Sequence, residues 1–163
     1  MHDHSAARNG IHVSTLRVVP EWLDYNGHMN VAYYSLAFDV AGENFVKELG
    51  MGEDYTARTR NSWMVVEAHI TYQNEARLDE ELRISSRALA ASPKAAHLYQ
   101  EMYRGEELLA TQEQLVLHVS LETRRSSPFE AEVYANLEAA IGKQAHLAVP
   151  EWVGRTIGIR KKD

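Results

Sequence analysis

Residues 31–49 read VAYYSLAFDVAGENFVKEL, and their spacing decides the fold. Val31, Tyr34, Phe38, Ala41, Phe45 and Leu49 recur at steps of three and four, the period of one helical face. Gly50 supplies the stop, because a residue without a Cβ accepts the left-handed conformation that ends many helices. Ala32, Tyr33, Leu36, Ala37 and Val40 add apolar character on other faces, so the helix is expected to be central and wrapped on several sides by sheet.

Outward from this helix the period becomes two. Ile11 to Val19 alternates like a strand, and Pro20 closes it because proline cannot continue a ladder. After a linking stretch from Gly52 to Arg60, four strands are predicted at Trp63 to Asn74, Leu82 to Ala90, Ala95 to Arg104 and Leu108 to Leu121. In the first of these Met64, Val66, Ala68, Ile70 and Tyr72 form an apolar face against Trp63, Glu67, His69 and Thr71; in the last, Leu115, Leu117, Val119 and Leu121 share a face. Ser92-Pro93 and Arg104-Gly105 are tight links, so the strands form antiparallel hairpins. Pro128 to Gly142 reads as a terminal helix with Phe129, Val133, Leu137 and Ile141 on one face.

The pattern predicts an α+β domain over residues 11–143, with a flexible segment at 1–10 and an extended, loosely packed tail at 144–163. One sheet around one helix leaves a face needing cover, which self-association supplies. The outer faces carrying Trp63 and His69, or Tyr99 and Tyr103, would suit such an interface.

The chain has 163 residues, 45% hydrophobic and 25% charged, which fits one globular domain. It contains no cysteine, which excludes disulfides, thiolate metal sites and a cysteine nucleophile. A net charge of -6 gives no support for nucleic acid as the main partner. The polar start and the absence of a long apolar run predict a cytoplasmic protein with no membrane partner. His2 and His4 flank Asp3 in an arrangement that could catch a metal, but a flexible polar chain end is the better explanation.

Chemistry concentrates just before the long helix, in PEWLDYNGHMN at residues 20–30. A carboxylate at Asp24 would lie near the free N–H groups and positive dipole end of that helix. It could activate water or attack an acyl carbon, while a helix N–H polarises the carbonyl. Gly27 would allow close approach of the backbone. Asp, Asn and Gly before a helix are also ordinary turn and capping chemistry.

Asp24-x-x-Gly27-His28-x-Asn30, followed by Tyr34 and Ala37-Phe38-Asp39, resembles the signature of hotdog-fold acyl-CoA thioesterases of the 4-hydroxybenzoyl-CoA thioesterase type. The order of elements from Leu16 to Val133 is similar as well. The resemblance implies an antiparallel sheet wrapped around a central helix, pairing into a homodimer or homotetramer with active sites between subunits. It assigns Asp24 as the catalytic carboxylate, as base or nucleophile, and the Val31 N–H as the group polarising the thioester carbonyl. Gly27, His28 and Asn30 would shape the substrate loop. No metal or cofactor is implied, and the substrate partner would be an acyl-CoA. Another hotdog branch carries its catalytic Glu inside the helix; Glu43 and Asp39 are the local candidates, but with Lys47 they lie at steps of four and read better as a polar stripe.

Coenzyme A carries phosphates and calls for local cations. Lys94, Arg124 and Arg125 stand at predicted strand ends, where members of this family commonly hold the nucleotide. Trp22, Tyr25, Tyr33, Tyr34 and Trp63 could enclose a quaternary ammonium or simply pack the core. Together with the overall sequence, the tail VPEWVGR at residues 149–155 resembles a thioesterase subgroup of carnitine breakdown that hydrolyses betainyl-CoA. The alternative is a non-catalytic hotdog domain that binds an acyl-CoA or carrier thioester, or one that serves only assembly.

Overall fold

A computed structural model describes residues 10–159 and 161. The flexible start, the His2, Asp3 and His4 group, and Arg160 and Lys162 lie outside the described residues. The elements in chain order are β1 (His12–Arg17), α1 (Val31–Glu48), α2 (Glu53–Thr59), β2 (Asn61–Tyr72), β3 (Glu81–Ser92), β4 (Ala95–Arg104), β5 (Glu107–Ser120), β6 (Arg125–Ser126) and α3 (Ala131–Lys143). They form one antiparallel sheet in the order β1-β3-β4-β5-β2, with β6 added to β5. With α1 packed on its concave face this is the α+β hotdog arrangement. Among the described residues no helix is long and apolar enough to cross a membrane.

Helix α1 buries Tyr34, Ala37, Phe38, Ala41, Gly42, Phe45 and Val46. Phe38 and Ala41 meet Leu82, Ile84 and Met102 in one core cluster, while Phe45 and Val46 join Leu98, Val116 and Leu137 in another. The predicted wrapping on several sides is absent within one chain. Leu36 and Val40 remain 43% and 37% exposed, because the sheet covers only one flank of the helix.

Strand β2 departs from simple alternation. A bulge between Val65 and Glu67 shifts its register against β5. Residues directly opposite on an antiparallel pair share a face. Trp63 and Val65 therefore go with the buried His118 and Val116, and after the bulge Ala68 and Ile70 go with Gln114 and Gln112. The predicted faces are thus exchanged at the amino-terminal end: Trp63 points inward and Met64 outward, and Trp63 does not share a face with His69.

The stretch read as a linker contains α2, whose one buried side chain is Tyr55. The Tyr55 hydroxyl donates to Nε2 of His118 at 2.7 Å, and Nδ1 of His118 donates to the Ser127 carbonyl at 2.9 Å. This fully buried ring ties α2 and the segment after β6 to β5, and burial pushes its pKa down. The unfolded chain therefore binds a proton more readily than the folded one, so this contribution is present above the ordinary histidine value of about 6.5 and is lost as pH falls below it. Urea midpoints measured from pH 8 to pH 5 should fall, and His118→Gln should flatten that fall.

Past α3, Gln144 donates to the carbonyls of Gly10 and Ala140 at 2.7 and 3.0 Å. The tail then reaches the outer sheet face, where the Gly154 N–H donates to Glu113 at 2.8 Å and Glu113 pairs with His97 at 2.8 Å. Val149, Ile157 and Ile159 stay exposed.

Candidate active site

Between β1 and α1 the chain makes a 3-10 turn, Pro20–Trp22, and then a tight hairpin in which Leu23 bridges Met29. The Asp24 N–H donates to the His28 carbonyl, and the Gly27 N–H donates back to the Asp24 carbonyl, both at 3.0 Å. Gly27 sits at φ +80°, a left-handed conformation that favours glycine. The Asp24 carboxylate accepts the Asn26 N–H at 2.8 Å and is half-buried. One carboxylate is thereby held at the hairpin mouth beside the start of α1.

Asn30 caps α1, its side chain accepting the Ala32 N–H at 3.0 Å and its carbonyl the Tyr33 N–H at 3.0 Å. The N–H of Val31 has no partner among the described residues, and Val31 is 57% exposed. A free N–H at a helix start favours negative charge. His28 turns Nδ1 to the Met29 carbonyl at 3.3 Å and Nε2 toward Glu75 at 3.9 Å. Hydrogen bonding from Arg77 holds the Glu75 carboxyl below the usual range. His28 is thus tied to its own loop.

Behind the hairpin stands the loop joining β2 and β3. The Tyr34 hydroxyl accepts the Ala76 N–H at 2.9 Å, and the Ala76 carbonyl accepts the Met29 N–H at 2.8 Å. Tyr34 therefore packs into the support of the site, with its hydroxyl pKa raised by burial. Trp22 stacks on Tyr33 with ring centroids 5.8 Å apart, and Tyr25 is 98% exposed.

Lys94, Arg124 and Arg125 do not join this group within one chain. Lys94 occupies the β3–β4 turn, and Arg124 and Arg125 follow β5, at the sheet end opposite the hairpin. A twelve-residue strand such as β3 separates the two ends by roughly 40 Å. All three cations are exposed and make no ion pair among the described residues. Trp63 also lies at that far end. There it lines a cavity of about 340 Å³ with Glu43, Glu53, Thr56, Arg60 and Ser62. Sequence reasoning misses Glu53, which opens α2, and Arg60, its C-cap, since neither belongs to a motif.

The curled antiparallel sheet around α1 defines a hotdog protein. The model of the thioesterase-like superfamily matches residues 18–137. The chain is 35% identical over 144 residues to the betainyl-CoA thioesterase of Pseudomonas aeruginosa, covering 87% of this chain and 91% of that protein. It is 38% identical over 142 residues to the L-carnitine dehydrogenase/betainyl-CoA thioesterase of Ruegeria pomeroyi, covering 86% of this chain and 29% of that longer protein. A Staphylococcus aureus protein solved in complex with CoA superposes with a TM-score of 0.87 at 23% identity, over 92% of this chain and 96% of that one, and shares the fold. The chain belongs to the thioesterase-like superfamily and is an acyl-CoA thioesterase of the hotdog type.

Proposed function

We propose that the chain hydrolyses betainyl-CoA to betaine and coenzyme A, with Asp24 as the catalytic carboxylate. The observation that supports the catalytic assignment is a carboxylate, Asp24, held in the hairpin that leads into α1, whose first N–H, that of Val31, has no partner among the described residues. Asp24 either takes a proton from the attacking water or attacks the acyl carbon itself. By either route the thioester oxygen becomes an oxyanion, which the Val31 N–H and the helix dipole stabilise, and collapse of that intermediate expels coenzyme A as thiolate; on the nucleophilic route water then cleaves the Asp24 acyl anhydride, releasing the acid and restoring the carboxylate. Gly27, His28 and Asn30 hold the hairpin. The betainyl group is supported by the names of the two relatives, one of them covered almost whole.

The working form is a homodimer paired along β2. This twelve-residue strand ends the sheet, and Met64, Val65 and Val66 on it are 41–52% exposed. Leu36 and Val40 of α1 extend the uncovered apolar surface. Antiparallel pairing of two β2 strands brings the Tyr72 end of one copy to the Asn61 end of the other. Asp24 of one copy then works beside Lys94, Arg124 and Arg125 of the second, which supply cations for the coenzyme A phosphates.

Free-thiol release across a panel of acyl-CoAs tests the assignment. Betainyl-CoA should give the highest kcat/KM. Binding of acyl-CoAs without thiol release across the panel would instead identify a binding domain.

A further inference from the structure

The 340 Å³ cavity beside Trp63 stands apart from the Asp24 hairpin, and its walls have a chemistry of their own. The indole edge lies against α1 at Gly42, where an added Cβ would sit 3.8 Å from the ring. Next along the helix is the half-buried Glu43. Neither Glu43 nor the exposed Glu53, which also lines the cavity, makes a hydrogen bond or ion pair among the described residues. Arg60 is the one cation lining the cavity, at its rim where β2 begins, and Lys47 lies nearby across Gly52. Two free carboxylates and an aromatic side chain lining one small cavity suit a compact organic cation. The volume is at the small end of the roughly 300–1,000 Å³ typical of ligand sites.

We infer that this cavity is the acyl subsite and that Trp63 and Glu43 select a quaternary ammonium group on the acyl chain. The inference rests on the proposed β2 pairing, which brings the Asn61 end of β2, and Trp63 with it, beside Asp24 of the second copy. The thioester reacts at one copy's hairpin while the ammonium end sits in the other copy's cavity. Glu43 acts here as a counter-ion and takes no part in proton transfer.

The test compares betainyl-CoA with 3,3-dimethylbutanoyl-CoA, in which carbon replaces the charged nitrogen at nearly the same shape. The ratio of their kcat/KM values is measured for the wild type, Glu43→Gln, Trp63→Leu and Trp63→Phe. The wild-type ratio should favour the cation. Glu43→Gln and Trp63→Leu should each lower it by about tenfold, while Trp63→Phe retains part of it. A wild-type ratio near one removes the cationic substrate itself. A high ratio undiminished in Glu43→Gln and Trp63→Leu overturns the cavity assignment and leaves the betainyl-CoA reading standing. Equal loss on both substrates in Glu43→Gln, with a pH profile lacking its acidic limb, would make Glu43 catalytic and also overturn the inference.

Discussion

Asp24→Asn should lower kcat for thioester hydrolysis by about 10²–10⁴-fold, the range that a positioned acid or base contributes. The substitution keeps the side-chain oxygen that accepts the Asn26 N–H at 2.8 Å, so the hairpin should persist. The neighbouring bonds between Asp24 and His28 and between Gly27 and Asp24 are backbone to backbone and do not depend on the carboxylate. Melting temperature and circular dichroism should match the wild type, and KM should change far less than kcat. Turnover within threefold of wild type in a folded Asp24→Asn protein would remove Asp24 from the mechanism.

If the proposed β2 dimer forms, Val66→Glu should convert it to a monomer and lower kcat/KM by about a hundredfold, because each site would lose the groups that a second copy is proposed to position. Val66 occupies the β2 bulge, pairs with no β5 residue and is 52% exposed, so the single chain has little to lose from the change. Across a two-fold axis through the middle of β2 the two carboxylates would face one another, and like charges on paired strands repel. Light scattering with size-exclusion chromatography reads the mass, and thiol release reads the activity. A monomer with full activity would show that each chain carries a complete site.

Much of the architecture could be read from periodicity. The step of three and four in residues 31–49 located α1, and period-two runs located the four long strands within a few residues. Where the sequence misled, the cause was local and physical. The β2 bulge reverses which residues face inward, and alternation cannot reveal an inserted residue. Helix α2 holds a single buried side chain, too little to create a periodic signal. Leu36 and Val40 look like core residues because they are apolar, yet within one chain they stay partly exposed. The hairpin was legible because Asp24, Gly27 and Asn30 each answer a separate local demand: a side-chain acceptor, a positive φ and a helix cap. The separation of Lys94, Arg124 and Arg125 from Asp24 within one chain was not, because strand order alone decides which end of the sheet a turn occupies.

The most direct measurement is a crystal structure with a ketone analogue of betainyl-CoA in which CH₂ replaces the sulfur. The account predicts the carbonyl oxygen about 3 Å from the Val31 N–H and the carbonyl carbon facing the Asp24 carboxylate. A carbonyl bound away from the start of α1, with Asp24 turned to solvent, would contradict it.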